Sequence, residues 1–246
     1  MDGDARYAFD SKGVVPAMVV AAEAGAIGVS GLNGHVSARA AMLAKVRHAV
    51  GDHTPVRESE YAAIPRQYRR QSVASRDAAV DLLAGRLRDY DAHVYRCGGS
   101  EVAQTVAAAM TERGKTSLLR AEGLPAEWLP SSFRFPVVNG MTYEEIDQAE
   151  GVITGCVAAI ALTGTIVLRH GPHDSRRALT LIPDYHLCVV FAEQVVETVP
   201  EGFERLRGME TLPLTTVSGP SATADIEMTR VKGVHGPRFL DVILVG

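Results

Sequence analysis

The sequence predicts an α/β fold: a mostly parallel sheet with helices on both faces. From Ser75 onward, short apolar runs alternate with segments of helical period, which is typical of βαβ units. The composition, 46% hydrophobic and 22% charged over 246 residues, is that of an ordinary globular protein. A chain of this length can bury roughly 70 to 75% of the surface that its unfolded form exposes, so it needs no disulfide staples. We therefore expect one α/β core spanning residues 75–246.

Two segments precede this core. Residues 1–36 show neither a helical nor an alternating period, and we expect them to form a poorly ordered extension. Ser37 is a suitable N-cap for an amphipathic helix of about 13 residues that ends before Gly51. This helix and the polar connector after it make residues 37–74 a helical lead-in to the core.

The core itself begins with two capped helices and continues into a strand-rich region. Ser75 and Ser100 are the predicted N-caps. The inward-facing residues are Val80, Leu83 and Leu87 in the first helix and Val102, Val106 and Met110 in the second. Pro200 suits the first turn of a third helix. Runs rich in Val, Ile and Leu predict strands over 93–96, 116–119, 151–154, 165–168, 178–182, 187–191, 212–217 and 239–245.

The segment from Thr215 to Glu227 is the most informative for function. A strand runs into a Gly/Ser/Thr-rich turn, and we favour a helix over a strand for residues 224–232. A turn at the carboxyl end of a strand is where open α/β sheets bind ligands, and free helix N–H groups attract anions. Asp225 and Glu227 would lie in the first helical turn and repel a bare phosphate. A hydroxylated ligand, or a turn that serves only as a helix cap, both fit this pattern.

Ser221 and His235 are not expected to form a catalytic pair. The Gly-x-Ser-x-Gly elbow is absent around Ser221. Nine helical residues from Ala224 to Lys232 would separate the two side chains by roughly 13 Å. We assign no catalytic residue from the sequence.

A second group of hydroxyls precedes another strand. Gly164 is expected to allow a tight turn between two strands, because glycine adopts turn conformations without steric cost. The hydroxyls of Thr163 and Thr165 on either side are then available for hydrogen bonding. His170 and its neighbours look like a solvated loop, and no metal site is expected there. The candidate ligand-binding residues are Thr163, Gly164, Thr165, Arg177, Ser218, Gly219, Ser221, Thr223, Asp225, Glu227 and His235.

Charge and cysteine usage exclude several classes of function. The net charge of −4 provides no positive field for nucleic acid. Cys97, Cys156 and Cys188 form no CxxC pair, so we expect reduced thiols in a cytoplasmic protein and no zinc or iron–sulfur cluster in this chain. A dinucleotide fingerprint is absent. The longest weakly polar stretch, 14–32, contains Pro, Glu and several glycines, so an integral membrane protein is not expected.

Four segments in order resemble the LUD domain of the lactate utilization protein C family (LutC, also called YkgG or LldG). They are Leu162-Thr-Gly-Thr-Ile-Val-Leu168, Arg177-Ala-Leu-Thr-Leu-Ile-Pro183 with Asp184-Tyr-His186, Ser218-Gly-Pro-Ser221 with Thr223-Ala-Asp-Ile-Glu227, and Gly233-Val-His-Gly-Pro237. The resemblance covers residues 37–246. Leu162 stands where the family often has an acidic residue, and residues 170–175 replace a glycine-rich hairpin loop.

The resemblance implies both a fold and a role. The fold would be that of the sugar-phosphate isomerase and CoA-transferase group (NagB/RpiA/CoA-transferase-like). The role would be that of a non-metal subunit that acts with two iron–sulfur partner proteins, LutA-like and LutB-like, in oxidising L-lactate to pyruvate. The cluster ligands would lie in the partners, and a small hydroxy acid would be the ligand.

Two other functions fit the same residues. One is a freestanding isomerase or transferase acting on a phosphorylated or CoA-linked small molecule, against which the acidic turn at Asp225 argues. The other is a regulatory protein that senses a hydroxy acid without turning it over.

Overall fold

The computed structural model describes residues 37–50, 58–171, 176–209, 211–223, 231–233 and 235–246. The chain divides into two compact units, Met1–Pro65 and Arg66–Gly246. In the first unit, the predicted amphipathic helix is confirmed as α1 (Ala38–Val50), and the Oγ of Ser37 accepts a hydrogen bond from the Ala40 N–H at 3.2 Å. A short helix, α2 (Glu58–Ala63), follows. The predicted extension, residues 1–36, lies outside the described residues.

A parallel five-stranded sheet forms the centre of the second unit and confirms the predicted fold class. Its strands are β1 (His93–Cys97), β2 (Leu119–Arg120), β3 (Val152–Thr154), β6 (Tyr185–Phe191) and β11 (Phe239–Val245). Their spatial order is β1-β11-β6-β3-β2, and every neighbouring pair is parallel. The buried sheet explains why its longer strands are continuous apolar runs rather than alternating ones.

Two helices cover opposite faces of this sheet, as the sequence predicts. Helix α3 (Arg76–Asp89) packs Leu83 and Leu87 on the face that carries Val242. Helix α4 (Val102–Glu112) packs Val106 on the face that carries Ile243. Because adjacent residues of a strand point to opposite faces, consecutive residues of β11 belong to separate cores. Short helices α5 (Tyr143–Asp147) and α6 (Val199–Arg205) complete the α-helices that the structure describes in this unit.

A second, four-stranded sheet lies on the α3 face and corrects the expectation of one continuous sheet. Its strands are β4 (Ala158–Ile160), β5 (Thr165–Arg169), β7 (Val195–Val196) and β8 (Leu214–Val217). Their order is β7-β4-β5-β8, and β5 is antiparallel to both of its neighbours. The pattern of apolar residues could not distinguish one sheet from two, since both sheets bury Val and Ile in the same core.

The helix favoured for 224–232 is not supported by the described ends of that segment. β9 (Ala222–Thr223) pairs antiparallel with β10 (Val231–Lys232), so the chain folds back on itself there. Residues 224–230 lie outside the described residues. A helix continuing through Val231 and Lys232 is excluded, because both residues pair with β9.

Three local predictions were also wrong. The strand expected at 178–182 is a 3-10 helix, Arg177–Thr180, followed by a turn. Ser100 does not cap α4, because it lies inside a 3-10 turn (Gly99–Glu101). The N–H of Gly98, just before this turn, donates a hydrogen bond to the Glu101 carboxylate at 2.8 Å. The strand expected at 116–119 is observed as β2, which pairs with β3 only through Leu119 and Arg120.

A buried ion pair fixes the amino-terminal half of β11 to the end of α4. The Asp241 carboxylate is fully buried and accepts hydrogen bonds from Arg113, at 3.0 and 2.6 Å, and from the Tyr185 hydroxyl at 3.0 Å. A buried carboxylate needs such partners because desolvation otherwise disfavours its charged form. Among the described helices, none combines the length and apolar composition needed to cross a bilayer.

Candidate functional site

Three of the candidate hydroxyls form one cluster. Thr163 lies in the turn from β4 to β5, and Thr165 is the first residue of β5. Ser218 follows β8. Thr165 Oγ1 lies 2.8 Å from Thr163 Oγ1 and 2.8 Å from Ser218 Oγ, so it is the shared partner of both. The antiparallel pairing of β5 with β8 brings these distant parts of the sequence together. Thr163 is linked to Ser218 through Thr165. That these three residues bind a ligand stays a prediction.

Two glycines allow the two turns to lie against the end of α3. Gly164 has φ +61°, and a Cβ built there would lie 2.8 Å from the Arg86 Cβ. Gly219 has φ +90°, and its Cβ would lie 2.5 Å from the Tyr90 Cβ. Only glycine tolerates both the positive φ and the close approach. These two candidate residues therefore have a packing role.

Ser221 and His235 are adjacent, contrary to the separation of roughly 13 Å that a helix would impose. The Ser221 Oγ accepts a hydrogen bond from the backbone N–H of His235 at 3.0 Å. The backbone of Ser221 also bonds to both Pro237 and Gly233. The prediction failed because it allowed a helix or an extended chain but not a return strand. The bond uses the His235 backbone and not its exposed imidazole, so it defines a structural clip and not a Ser–His pair.

The Ser218–Ser221 turn lies at the amino-terminal edge of the parallel sheet, although a carboxyl-edge position was expected. Ser221 N–H donates to the carbonyl of Pro237, just before β11 begins, and Phe239 N–H donates to the carbonyl of Asp184, just before β6. The turn follows β8, which belongs to the second sheet. The rule that ligands bind beyond the carboxyl ends of parallel strands does not apply to such a turn.

A pocket of about 230 Å³ opens beside this turn; we call it the hydroxyl pocket. Its described lining residues are Thr180, Leu181, Thr215, Thr216, Val217, Ser218, Gly219, Pro220, Ser221, Ala222, His235, Gly236, Pro237 and Leu240. They supply hydroxyls, backbone groups and one imidazole, and no Asp, Glu, Lys or Arg is among them. These groups can form hydrogen bonds to a small polar ligand.

The remaining candidate residues are not shown to join the pocket. Arg177 is exposed at the start of its 3-10 helix and is not among the described lining residues. Thr223 is placed on β9, and its side chain is not described. Asp225 and Glu227 lie outside the described residues, so the predicted acidic turn stays a prediction.

His170, expected in a solvated loop, is instead a buried residue at the end of β5. It is 6% exposed, and its Nε2 lies 2.7 Å from the Thr215 Oγ1, which lines the hydroxyl pocket. Its neighbours His173 and Asp174 lie outside the described residues. Within the described parts of the chain, no group of three or more His, Cys, Asp or Glu could hold a metal ion.

A second cavity, missed by the sequence analysis, opens at the carboxyl ends of β2 and β3. It holds about 170 Å³, and we call it the Trp128 cleft. Its described lining residues are Ala121, Gly123, Leu124, Pro125, Trp128, Thr154, Gly155, Cys156, Val157, Leu168, Arg169, His170 and Thr180. The sequence feature that could have revealed this cleft is Thr154, at the end of a predicted strand, with Gly155 and Cys156 directly after it. The carboxyl end of a parallel strand is the edge at which such sheets bind ligands.

Burial disfavours the charged forms of three groups near this cleft, His186, Cys188 and Cys156. His186 is 2% exposed, and desolvation lowers its pKa to about 4; its Nε2 lies 2.8 Å from the Thr154 Oγ1. Desolvation also raises the pKa of Cys188 to about 12. Burial, and to a smaller extent the nearby Cys188, raises the pKa of Cys156 well above its usual value. Both thiols are therefore protonated near neutral pH and are poor nucleophiles.

The protein is thus of the α/β class, with a parallel sheet and an adjoining mixed sheet. The hydroxyl pocket lies at the amino-terminal edge of the parallel sheet and the Trp128 cleft at its carboxyl edge, and both are lined in part by polar groups. The family model described as "LUD domain" matches residues 72–245. The chain belongs to the LUD domain family.

Relatives with curated names match between 38% and 85% of the chain. "Lactate utilization protein C" of Deinococcus radiodurans is 38% identical over 214 residues, which are 85% of this chain and 96% of the relative. A protein of the same name from Geobacillus kaustophilus is 30% identical over 66% of this chain and 68% of its own length. "Uncharacterized protein YkgG" of Escherichia coli is 36% identical over 38% of this chain and 44% of its own length.

A solved structure shares the fold. The crystal structure of a DUF162 family protein from Deinococcus radiodurans matches with a TM-score of 0.61 and 36% sequence identity. The match covers 70% of this chain and 99% of the other.

Proposed function

We propose that this protein is a cytoplasmic component of an L-lactate utilization system, acting with iron–sulfur partner proteins in the oxidation of L-lactate to pyruvate. The observation that carries the proposal is the match over 85% of the chain to a relative named "Lactate utilization protein C". Relatives of the same name from other bacteria support it.

The proposed reaction needs an electron acceptor. Oxidation of L-lactate to pyruvate removes two electrons and two protons from the C2–H and the C2 hydroxyl. In the proposal, clusters of the partner proteins take the electrons and pass them to an external acceptor, and the protons leave to water. This chain would contribute the site or the scaffold and no redox cofactor of its own.

The environments of Cys156 and Cys188 support the proposal that the clusters lie in the partner proteins. Cluster ligation requires thiolates. Cys188 is fully buried and its sulfur lies 3.7 Å from the Gly155 carbonyl oxygen, where it can donate only while protonated. The Cys156 thiol donates in the same way to the Gln194 Oε1 at 3.5 Å.

Co-purification from lactate-grown cells tests the proposal. Tagged protein is expected to bring down partners that contain iron, and that complex, but not the isolated chain, is expected to reduce a dye when L-lactate is added. An isolated chain that isomerises a sugar phosphate or transfers CoA would support the freestanding enzyme instead. A chain that binds a hydroxy acid, recruits no iron protein and changes gene expression would support the regulatory protein.

Growth of a deletion strain on lactate tests the part played by the hydroxyl pocket. Ser221→Ala removes one hydrogen bond to the His235 N–H, so the free energy of unfolding should fall by no more than about 1 to 2 kcal/mol. We expect this folded variant to fail to restore growth on lactate, and Asp225→Asn to do the same. Full growth with both variants, or unfolding of either, would reduce the turn to a structural role.

A further inference from the structure

The Trp128 cleft lies where two neighbouring strands of the parallel sheet send their chains to opposite faces. The chain that leaves β2 carries Trp128 onto the face of α4, where it packs against the core that contains Val106. The chain that leaves β3 enters β4, whose Ala159 packs in the same core as Leu83 of α3, on the other face. Parallel α/β sheets bind ligands in the crevice that forms where adjacent connections diverge in this way. The cleft therefore occupies the position at which such a sheet offers a binding site.

One wall of the cleft is an aromatic side chain held in place by its neighbours. Trp128 is half-buried, and its ring centroid lies 5.5 Å from that of Phe191. A Cβ built at Gly155 would lie 3.4 Å from the Trp128 Cη2, so even a methyl group there would lie against the indole. The indole thus offers the cleft a flat apolar surface, and a second aromatic ring gains more from such a surface than its buried area alone accounts for.

The volume of the cleft matches one ring. It holds about 170 Å³ against the ~30 Å³ that a water molecule occupies in the liquid, so it has room for about six non-hydrogen atoms. Leu124, Val157 and Leu168 add apolar surface to its lining. A compact, mainly apolar ligand therefore fits, and a nucleotide or a sugar phosphate is too large.

The described lining residues offer a ligand hydrogen bonds but no free charge. No Asp, Glu or Lys is among them, and Arg169 already interacts with another group of the protein. Thr180 is 4% exposed, and its hydroxyl donates to the Arg177 carbonyl at 3.2 Å, so its oxygen can still accept a hydrogen bond. A charged ligand would lose its hydration without gaining a counter-charge, and the lining therefore favours an uncharged ligand with a hydrogen-bond donor.

We propose that the Trp128 cleft binds a small uncharged aromatic ring that bears a hydrogen-bond donor, with the ring stacked on the Trp128 indole and the donor directed to the Thr180 hydroxyl. L-lactate is a carboxylate, so this ligand is not the substrate of the proposed oxidation. The inference is independent of the proposed function, and either can fail without the other.

The single tryptophan of the chain makes the cleft directly observable, because it gives one indole N–H signal in a proton–nitrogen correlation NMR spectrum. Phenol, one aromatic ring with one hydroxyl, should shift this signal saturably. Cyclohexanol has the same hydroxyl on a ring of the same size that is not aromatic, so it should bind about three- to tenfold more weakly. Equal binding of the two compounds, or no saturable shift with phenol, would overturn the proposal.

Two further comparisons test the donor and the charge. Toluene lacks the donor and should bind more weakly than phenol, whereas a wholly apolar cavity would prefer toluene because phenol would lose its hydrogen bonds to water. L-lactate and pyruvate should shift the indole signal no more than sodium chloride does at the same ionic strength. Tighter binding of toluene than of phenol would remove the donor from the proposal, and tighter binding of either acid would refute an uncharged ligand.

Variants place the ring against the indole. Gly155→Ala puts a methyl group beside Trp128 and should weaken phenol binding at least about threefold, whereas Gly85→Ala, in α3 with open space around its Cβ, should bind phenol as the wild type does. Equilibrium dialysis measures both variants and also Trp128→Leu, which should lose the preference for phenol over cyclohexanol. Unchanged phenol binding in Gly155→Ala, or the full preference in a folded Trp128→Leu, would show that the ring binds elsewhere. The Gly155→Ala comparison decides alone in the event that Trp128→Leu does not fold.

Discussion

Thr165 is the residue on which the hydroxyl cluster depends. It is 9% exposed, and its hydroxyl contacts those of both Thr163 and Ser218. A buried hydroxyl that loses its hydrogen-bond partner destabilises the fold by its desolvation free energy, whereas an exposed hydroxyl can form a hydrogen bond to water instead. Thr163 is exposed, so the two threonines differ in what their removal should cost.

Thr165→Val should lower the free energy of unfolding by about 1 to 2 kcal/mol, because the methyl group leaves the Ser218 hydroxyl without its partner. Urea unfolding followed by circular dichroism measures the change. Thr163→Val is the matched control and should cost less than about 0.5 kcal/mol, since its hydroxyl can be replaced by water. Equal losses in the two variants would show that burial does not govern the cluster.

Gly219 should be the least replaceable residue of the Ser218–Ser221 turn. Gly219→Ala combines a φ of +90° with a Cβ only 2.5 Å from the Tyr90 Cβ, so it should destabilise the fold by more than about 2 kcal/mol. Gly85→Ala, within α3 and with open space around its Cβ, should instead stabilise by about 0.5 to 1 kcal/mol. Thermal unfolding of the two alanine variants gives the comparison, and a tolerated Gly219→Ala would mean that the turn shifts freely.

At the scale of elements, Glu197 joins the connector before α3 to the junction of β7 and α6. Its carboxylate accepts hydrogen bonds from the Ser72 hydroxyl at 2.7 Å, from the Val73 and Ala74 N–H groups at 3.0 and 3.2 Å, and from Arg69. These bonds, that of Ser72 first, lower its pKa to about 2. The arginine-containing connector is therefore anchored by at least one of its arginines and is not simply a solvated segment.

This anchor should make the stability depend on pH in the acid range. The folded pKa of Glu197, about 2, lies below the ordinary value of 4.5, so the carboxylate stabilises the fold above pH 4.5 and loses that contribution as the pH falls toward 2. Glu197→Gln should flatten the stability–pH profile over this window. Glu204→Gln, in an exposed pair with Arg207, should keep the wild-type profile. An unchanged profile in Glu197→Gln would contradict the anchor.

At the scale of the whole molecule, the core elements all lie within the second compact unit. The unit Arg66–Gly246 contains the five-stranded and the four-stranded sheet, and the family match, residues 72–245, falls inside it. In α1 the side chains described, through Ala49, are exposed, including those of Leu43 and Val46. The helix thus forms as its sequence predicts without burying its apolar stripe.

A chain that begins at Ser37 should therefore keep the melting temperature of the full chain, because residues 1–36 show no periodic apolar pattern that could join a core. Differential scanning calorimetry measures the two chains side by side. A fall of more than about 5 °C, equivalent to roughly 1 to 3 kcal/mol in a domain of this size, would show that the segment contributes to the folded core.

The sequence alone determined the fold class, most helices and the longer strands. Local signals suffice for these: Ser75 caps α3 through its own hydroxyl, and the apolar run of β11 is buried along nearly its whole length. The sequence also named Thr163, Thr165 and Ser218 as candidate residues, and the hydroxyls of Thr163 and Ser218 both lie against that of Thr165.

Only the tertiary structure decided how the strands divide into two sheets, where the Ser218–Ser221 turn lies and which residues line the Trp128 cleft. The pairing of β9 with β10 brings Ser221 to His235, and the propensities of these residues did not reveal that the chain returns across residues 224–230. Trp128 and Cys156 likewise line the same cleft because β2 and β3 are neighbours in the parallel sheet. The physical reason is that strand pairing is specified by packing between distant segments, whereas caps and helical stripes are specified within one turn of chain.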